Sequence, residues 1–99
     1  MASGSIKDPW ASGDKIYASA NLNGPNPVGT KVCVEIHAMH PYYPDINLGG
    51  TCKTINAGTV TTSVHKGACG NYKTYAYATY NGRVFWGPVE SPRYQTICS

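Results

Sequence analysis

Tyr72-Lys73-Thr74-Tyr75-Ala76-Tyr77-Ala78-Thr79-Tyr80-Asn81-Gly82-Arg83-Val84-Phe85-Trp86 carries the clearest structural signal in the chain. Two β-rich runs flank Asn-Gly, the dipeptide that a two-residue type I′ hairpin loop demands because both central residues take positive φ. A two-residue loop also sets the register: Tyr80 faces Arg83, Thr79 faces Val84, Ala78 faces Phe85 and Tyr77 faces Trp86. One face of the hairpin then carries Tyr75, Tyr77, Val84 and Trp86, the other Ala76, Ala78, Tyr80, Arg83 and Phe85. The first is expected to face the core, because Arg83 belongs in water.

Working outward, the same period-2 pattern recurs. Residues 15–22 alternate Ile16, Ala18, Ala20 and Leu22 against Lys15, Tyr17, Ser19 and Asn21, and the turn sequence Asn23-Gly24-Pro25-Asn26-Pro27 ends the run. Residues 30–39 place Val32, Val34, Ile36 and Ala38 opposite Lys31, Cys33, Glu35 and His37. Further strands are expected from Cys52 to Ile55, over 59–65 with Val60, Thr62 and Val64 inward, and over 94–98. Helical periodicity is absent. The fold expected is a small antiparallel β-sandwich of about seven strands with an immunoglobulin-like layout, a small Greek-key barrel being the alternative. Residues 1–13 read as a flexible arm anchored by Pro9 and Trp10, with residues 1–5 in part an expression scar, and residues 14–99 as one domain.

The chain has 99 residues, enough for one modest core, and four cysteines with no C-x2-C spacing. An even cysteine count in a short chain rich in turn residues points to disulfides and to a secreted or periplasmic protein whose signal has been removed. Of the three possible connectivities, Cys33–Cys52 with Cys69–Cys98 is favoured. If Ile55 points inward, Cys52 points outward, as Cys33 does on its strand, and two outward cysteines on adjacent strands can be bridged.

The net charge of +3 comes from scattered basic residues without a stripe, which speaks against nucleic acid, and no apolar run is long enough for a membrane span. Paired carboxylates, a G-x-S-x-G elbow, a phosphate loop and an H-E-x2-H helix are missing. The one catalytic arrangement on offer is a ribonuclease-like pairing of Glu35 with His37 or His65, and no enzyme is expected. His37 and His40 are weak metal or haem candidates, since on a strand positions three apart point to opposite faces and His37 is better placed to pair with Glu35. No cofactor is expected.

Two binding candidates stand out. The loop from His40 to Gly50 carries Tyr42 and Tyr43 between Pro41 and Pro44, and tyrosine is a low-entropy contact residue. Tyr80, Arg83 and Phe85 form an Arg-aromatic group of hot-spot composition. The expected function is a secreted, monomeric, non-catalytic binding protein directed at a protein partner, such as an inhibitor of a secreted hydrolase or a toxin-like effector. The alternative is a carbohydrate-binding module using exposed Tyr, Phe and Trp86.

The segment Cys52-x2-Ile55-x2-Gly58-x2-Thr61-Thr62 is loosely similar to a stretch of the small microbial α-amylase inhibitors, which are also two-disulfide β-sandwiches. Their Trp-Arg-Tyr triplet is absent; Pro92-Arg93-Tyr94 stands as its poor counterpart. The likeness is one of architecture, and architecture does not fix function.

Overall fold

The computed structural model describes residues 3–40, 42, 44–67 and 69–98. Among these, nine strands form: β1 (Ser3–Ile6), β2 (Trp10–Ser12), β3 (Lys15–Asn23), β4 (Lys31–Ala38), β5 (Ile46–Thr54), β6 (Gly58–His65), β7 (Gly70–Tyr80), β8 (Arg83–Glu90) and β9 (Gln95–Ile97). They make two antiparallel sheets packed as a sandwich. In the first, β3 pairs with β6 along one edge and with β1 and β2 along the other. In the second the order is β5-β4-β7, with β8 and β9 sharing the far edge of β7. β5 crosses from the second sheet to β6 in the first, the kind of sheet-switching connection on which immunoglobulin-like layouts are built.

Strand alternation makes the core. Ile16, Ala18, Ala20 and Leu22 of β3 face Val32, Val34 and Ile36 of β4, with Val60, Tyr72, Ala76 and Ala78 completing the cluster. Four of these residues are alanines, so the core is thin where β3 and β7 contribute to it. Both cysteine pairs are joined in the favoured connectivity, Cys33–Cys52 across β4 and β5 as parity suggested, and Cys69–Cys98 as the remaining pair.

Three expectations are corrected. The hairpin faces are reversed: Thr74, Ala76 and Ala78 are buried, whereas Tyr75 and Tyr77 stand on the outer face with Val84. Asn81 and Gly82 do take positive φ, and Tyr80 faces Arg83 and Thr79 faces Val84. One residue further the register slips, so that Ala78 faces Trp86 and not Phe85. This bulge at Phe85 turns Trp86 inward, where it packs against the core. Second, β5 begins at Ile46, so residues 46–50 of the segment read as a long loop are strand. A bulge in β5, at Leu48, lies between the pairs Ile36–Gly49 and His37–Asn47 and breaks the alternation that would have revealed the strand. Third, the N-terminal segment carries β1 and β2, both paired to β3.

A buried polar group ties this segment to the opposite sheet. The Thr74 hydroxyl donates to the carbonyl of Lys7 at 2.6 Å, and the Thr74 amide donates to Ser91 Oγ at 3.0 Å. Replacing Thr74 with valine is expected to cost about 1–3 kcal/mol, because the Lys7 carbonyl is left unpaired. The measurement is the urea midpoint, which should fall with an unchanged slope.

Candidate binding surfaces

Two surfaces result from this arrangement. The first is the outer face of the five-stranded sheet, where side chains stand in cross-strand rows. One row runs Gly50, Glu35, Tyr75, Glu90 and the next Asn47, His37, Lys73. Glu35 and His37 are two apart on β4 and so share a face; His37 Nε2 lies 2.8 Å from Glu35 Oε1. The His37 ring stacks on Tyr75 with centroids 4.5 Å apart, and Tyr77 meets Tyr75 edge-on. The Tyr94 hydroxyl donates to both Asp45 oxygens, at 2.8 and 2.7 Å, and Lys73 Nζ sits 4.5 Å over the Tyr94 ring. Glu35, His37, Asp45, Asn47, Tyr75 and Tyr77, with Val84 and Pro88, line an open groove of about 500 Å³.

Burial pushes the Tyr75 hydroxyl above the ordinary 10.0, and the Glu35 and Glu90 carboxylates add to it. The hydrogen bond to Asp45 does the same for Tyr94. A phenol whose folded-state value is raised binds its proton more tightly in the native than in the unfolded chain. Its contribution to stability is therefore complete below the unfolded value and is lost as pH rises through the raised one. Ultraviolet titration is expected to show Tyr75 and Tyr94 ionising above the ordinary value, and Asp45→Asn should return Tyr94 toward it.

The second surface is the sandwich end where the β3–β4, β5–β6 and β7–β8 loops meet. Here the structure brings Tyr80, Arg83 and Phe85 together with Pro27 around a notch of about 250 Å³. Tyr80 and Arg83 are opposed at the hairpin tip, and Phe85, two residues beyond Arg83 on β8, joins them. The β3–β4 loop beneath is pinned. Asn26 Nδ2 donates to the carbonyls of Asn23 and Asn56, both at 2.8 Å, and the Thr30 hydroxyl donates to the carbonyl of Pro27 at 2.7 Å.

Tyr42 is 86% exposed but lies in the β4–β5 loop. The register places Lys31 beside Thr79 and Ala38 beside Tyr72, so this loop is at the opposite end from Tyr80. Tyr43 lies outside the described residues. The candidate binding residues thus divide between two ends. Of the metal candidates, His37 is engaged by Glu35 and Tyr75, and His40 Nδ1 accepts from the Tyr42 amide. Among the described residues no three His, Cys, Asp or Glu side chains gather as a metal site would require. His65 is on β6 of the other sheet, 3.8 Å from Asp14, and cannot join Glu35. Trp86 packs inward and Trp10 stacks on Tyr17 in the other sheet, so neither indole lines the groove. No helix among the described residues is long and apolar enough to cross a membrane.

No protein-family model matches the chain, and the comparisons with curated proteins and with solved structures return no similar one.

Proposed function

We propose that the chain is an extracellular, non-catalytic binding domain directed at a protein partner, such as a secreted hydrolase that it inhibits or the target of a toxin-like effector. Two disulfides in so small a domain are typical of an oxidising compartment. The observation that carries the protein-directed reading is the loop end, where Tyr80, Phe85 and Arg83 surround an apolar notch on a pinned scaffold. Tyrosine and arginine at the centre of a preformed patch are what interface hot spots are made of, with phenylalanine enriched beside them.

The test is the double substitution Tyr80→Ala with Phe85→Ala. The variant is expected to keep the fold and to lose a protein captured by the wild type from the fluids of its source organism, with affinity falling by at least ~2 kcal/mol, or about thirtyfold. Tyr42→Ala is expected to bind as the wild type does. Capture by the double variant at wild-type strength would remove the loop end as the contact site.

The groove on the outer sheet face favours a second reading, a carbohydrate ligand. Tyrosine rings with Asp45 and Asn47 beside them offer both stacking and hydrogen bonding in an open cleft. A glycan array probed with the oxidised protein decides it, a hit lost on Tyr77→Ala being the supporting result. Tryptophan emission would not report such binding, given where Trp10 and Trp86 lie.

A further inference from the structure

The charge of the molecule is segregated along the strands. Lys31, Lys53 and Arg83 sit on β4, β5 and β8, each within one residue of the row Thr54, Lys31, Thr79, Val84 that crosses the loop end of the second sheet; Lys31 is on the outer side of the sheet and Lys53 and Arg83 on the other, so the cations flank the end from both sides. All three are exposed. No Asp or Glu occurs in residues 22–33, 52–59 or 77–86, which build this end. The chain has eight basic and five acidic side chains, so the five basic residues elsewhere are matched by all five acids. The whole formal charge of +3 therefore belongs to the end that carries the Tyr80–Phe85 notch. A single-signed end steers an oppositely charged partner and orients it before contact.

We infer that the occupant of this end is an acidic polypeptide segment, one that places an aromatic or branched aliphatic side chain in the notch of Pro27, Tyr80 and Phe85 and carboxylates against Arg83, Lys31 and Lys53. The inference rests on the protein-directed reading and adds the partner's chemistry to it. The notch is apolar and narrow, which suits one side chain. The three cations are spread over about 14 Å at the usual strand spacing and do not form the dense stripe that a polyanionic glycan or nucleic acid requires. The pinned β3–β4 loop means that little ordering accompanies binding.

The experiment titrates the isotope-labelled, disulfide-intact domain with three short peptides built around one tryptophan, flanked by glutamates, glutamines or lysines, and with a heparin-derived oligosaccharide. The glutamate peptide is expected to bind most tightly and the lysine peptide least, shifting amides in residues 28–31 and 79–85. Its affinity should fall as salt shortens the screening length from about 30 Å to about 8 Å. Reversing Arg83→Glu together with Lys31→Glu should weaken it about tenfold and improve the lysine peptide, in a variant whose spectrum stays dispersed. Equal binding of the glutamate and glutamine peptides would overturn the acidic partner and leave the loop end as a contact site. Shifts gathered at Glu35, Asn47 and Tyr75 would overturn both. Binding of the oligosaccharide alone, or of nothing, would overturn the polypeptide occupant.

Discussion

Removing both disulfides, by C33S/C52S together with C69S/C98S, is expected to unfold the domain at about 37 °C. Each bridge closes a loop, one of sequence separation 19 and the other of 29. The chain-entropy account assigns about 3 kcal/mol to each. Their sum of about 6 kcal/mol reaches into the 5–15 kcal/mol that domains generally possess. The core offers little to replace it, with alanine at four of its positions. The two bridges should differ in where the loss is felt. Cys33 is 2% exposed, and β5 has β4 as its sole ladder partner among the described residues, so this bridge guards the edge of the second sheet. Cys98 follows β9, a strand of three residues, so losing Cys69–Cys98 should first free the C-terminal segment. Single-bridge variants are expected to lower the melting temperature by roughly 12–24 °C. Amide exchange should accelerate over β5 in one and over β9 in the other.

The second large effect is expected at Gly87. Its φ is +80°, and a Cβ there would lie 2.7 Å from the Ala76 carbonyl oxygen and 3.1 Å from Tyr77 Cα. Both obstacles are backbone and cannot swing aside. Gly87→Ala should therefore cost about 3 kcal/mol, combining 1–2 kcal/mol of left-handed strain with an overpacking term of similar size. Gly13 supplies the control. Its φ is +60°, but a Cβ there meets nothing within 4 Å, so Gly13→Ala should cost only the strain, about 1–2 kcal/mol. In a Trp10→Phe background, the emission of Trp86 should shift to the red in Gly87→Ala, because the irregularity around Phe85 to Gly87 is what holds that indole inward. An unchanged melting curve for Gly87→Ala would mean that the β8 backbone takes a different course.

These residues also mark how far the chain could be read before the structure. The hairpin tip was legible because Asn81-Gly82 is a local signal, and the Cys33–Cys52 bridge because parity survives along an unbroken strand. The buried face was not legible. Alternation predicts that residues 75 and 77 differ from 74, 76 and 78, but it does not say which set is inside. The rings of Tyr75 and Tyr77 pointed the wrong way: the core beside them takes alanines, with Tyr72 the one buried tyrosine of β7, and tyrosine tolerates the outer surface because its body packs sideways, as Tyr75 does on His37. The bulges at Leu48 and Phe85 each shift the pattern by one residue, which hid β5 and gave Trp86 the wrong cross-strand partner, although it does face inward as expected. Of the candidate sites, the grouping of Tyr80, Arg83 and Phe85 was legible through the short hairpin. The outer groove was missed, although the Glu35–His37 pair was foreseeable. Its lining comes from β4, β5, β7, β8 and the β4–β5 loop, and only the assembled sheet unites them.

The central claim is that the loop end is the contact surface, and the most direct measurement is an amide-exchange footprint of the domain alone and bound to its captured partner. Protection is expected over residues 25–31 and 79–86, with the outer face of β4 and β5 unchanged. Protection of residues 35–37, 45–50 and 73–77, with the loop end exchanging as in the free domain, would contradict it.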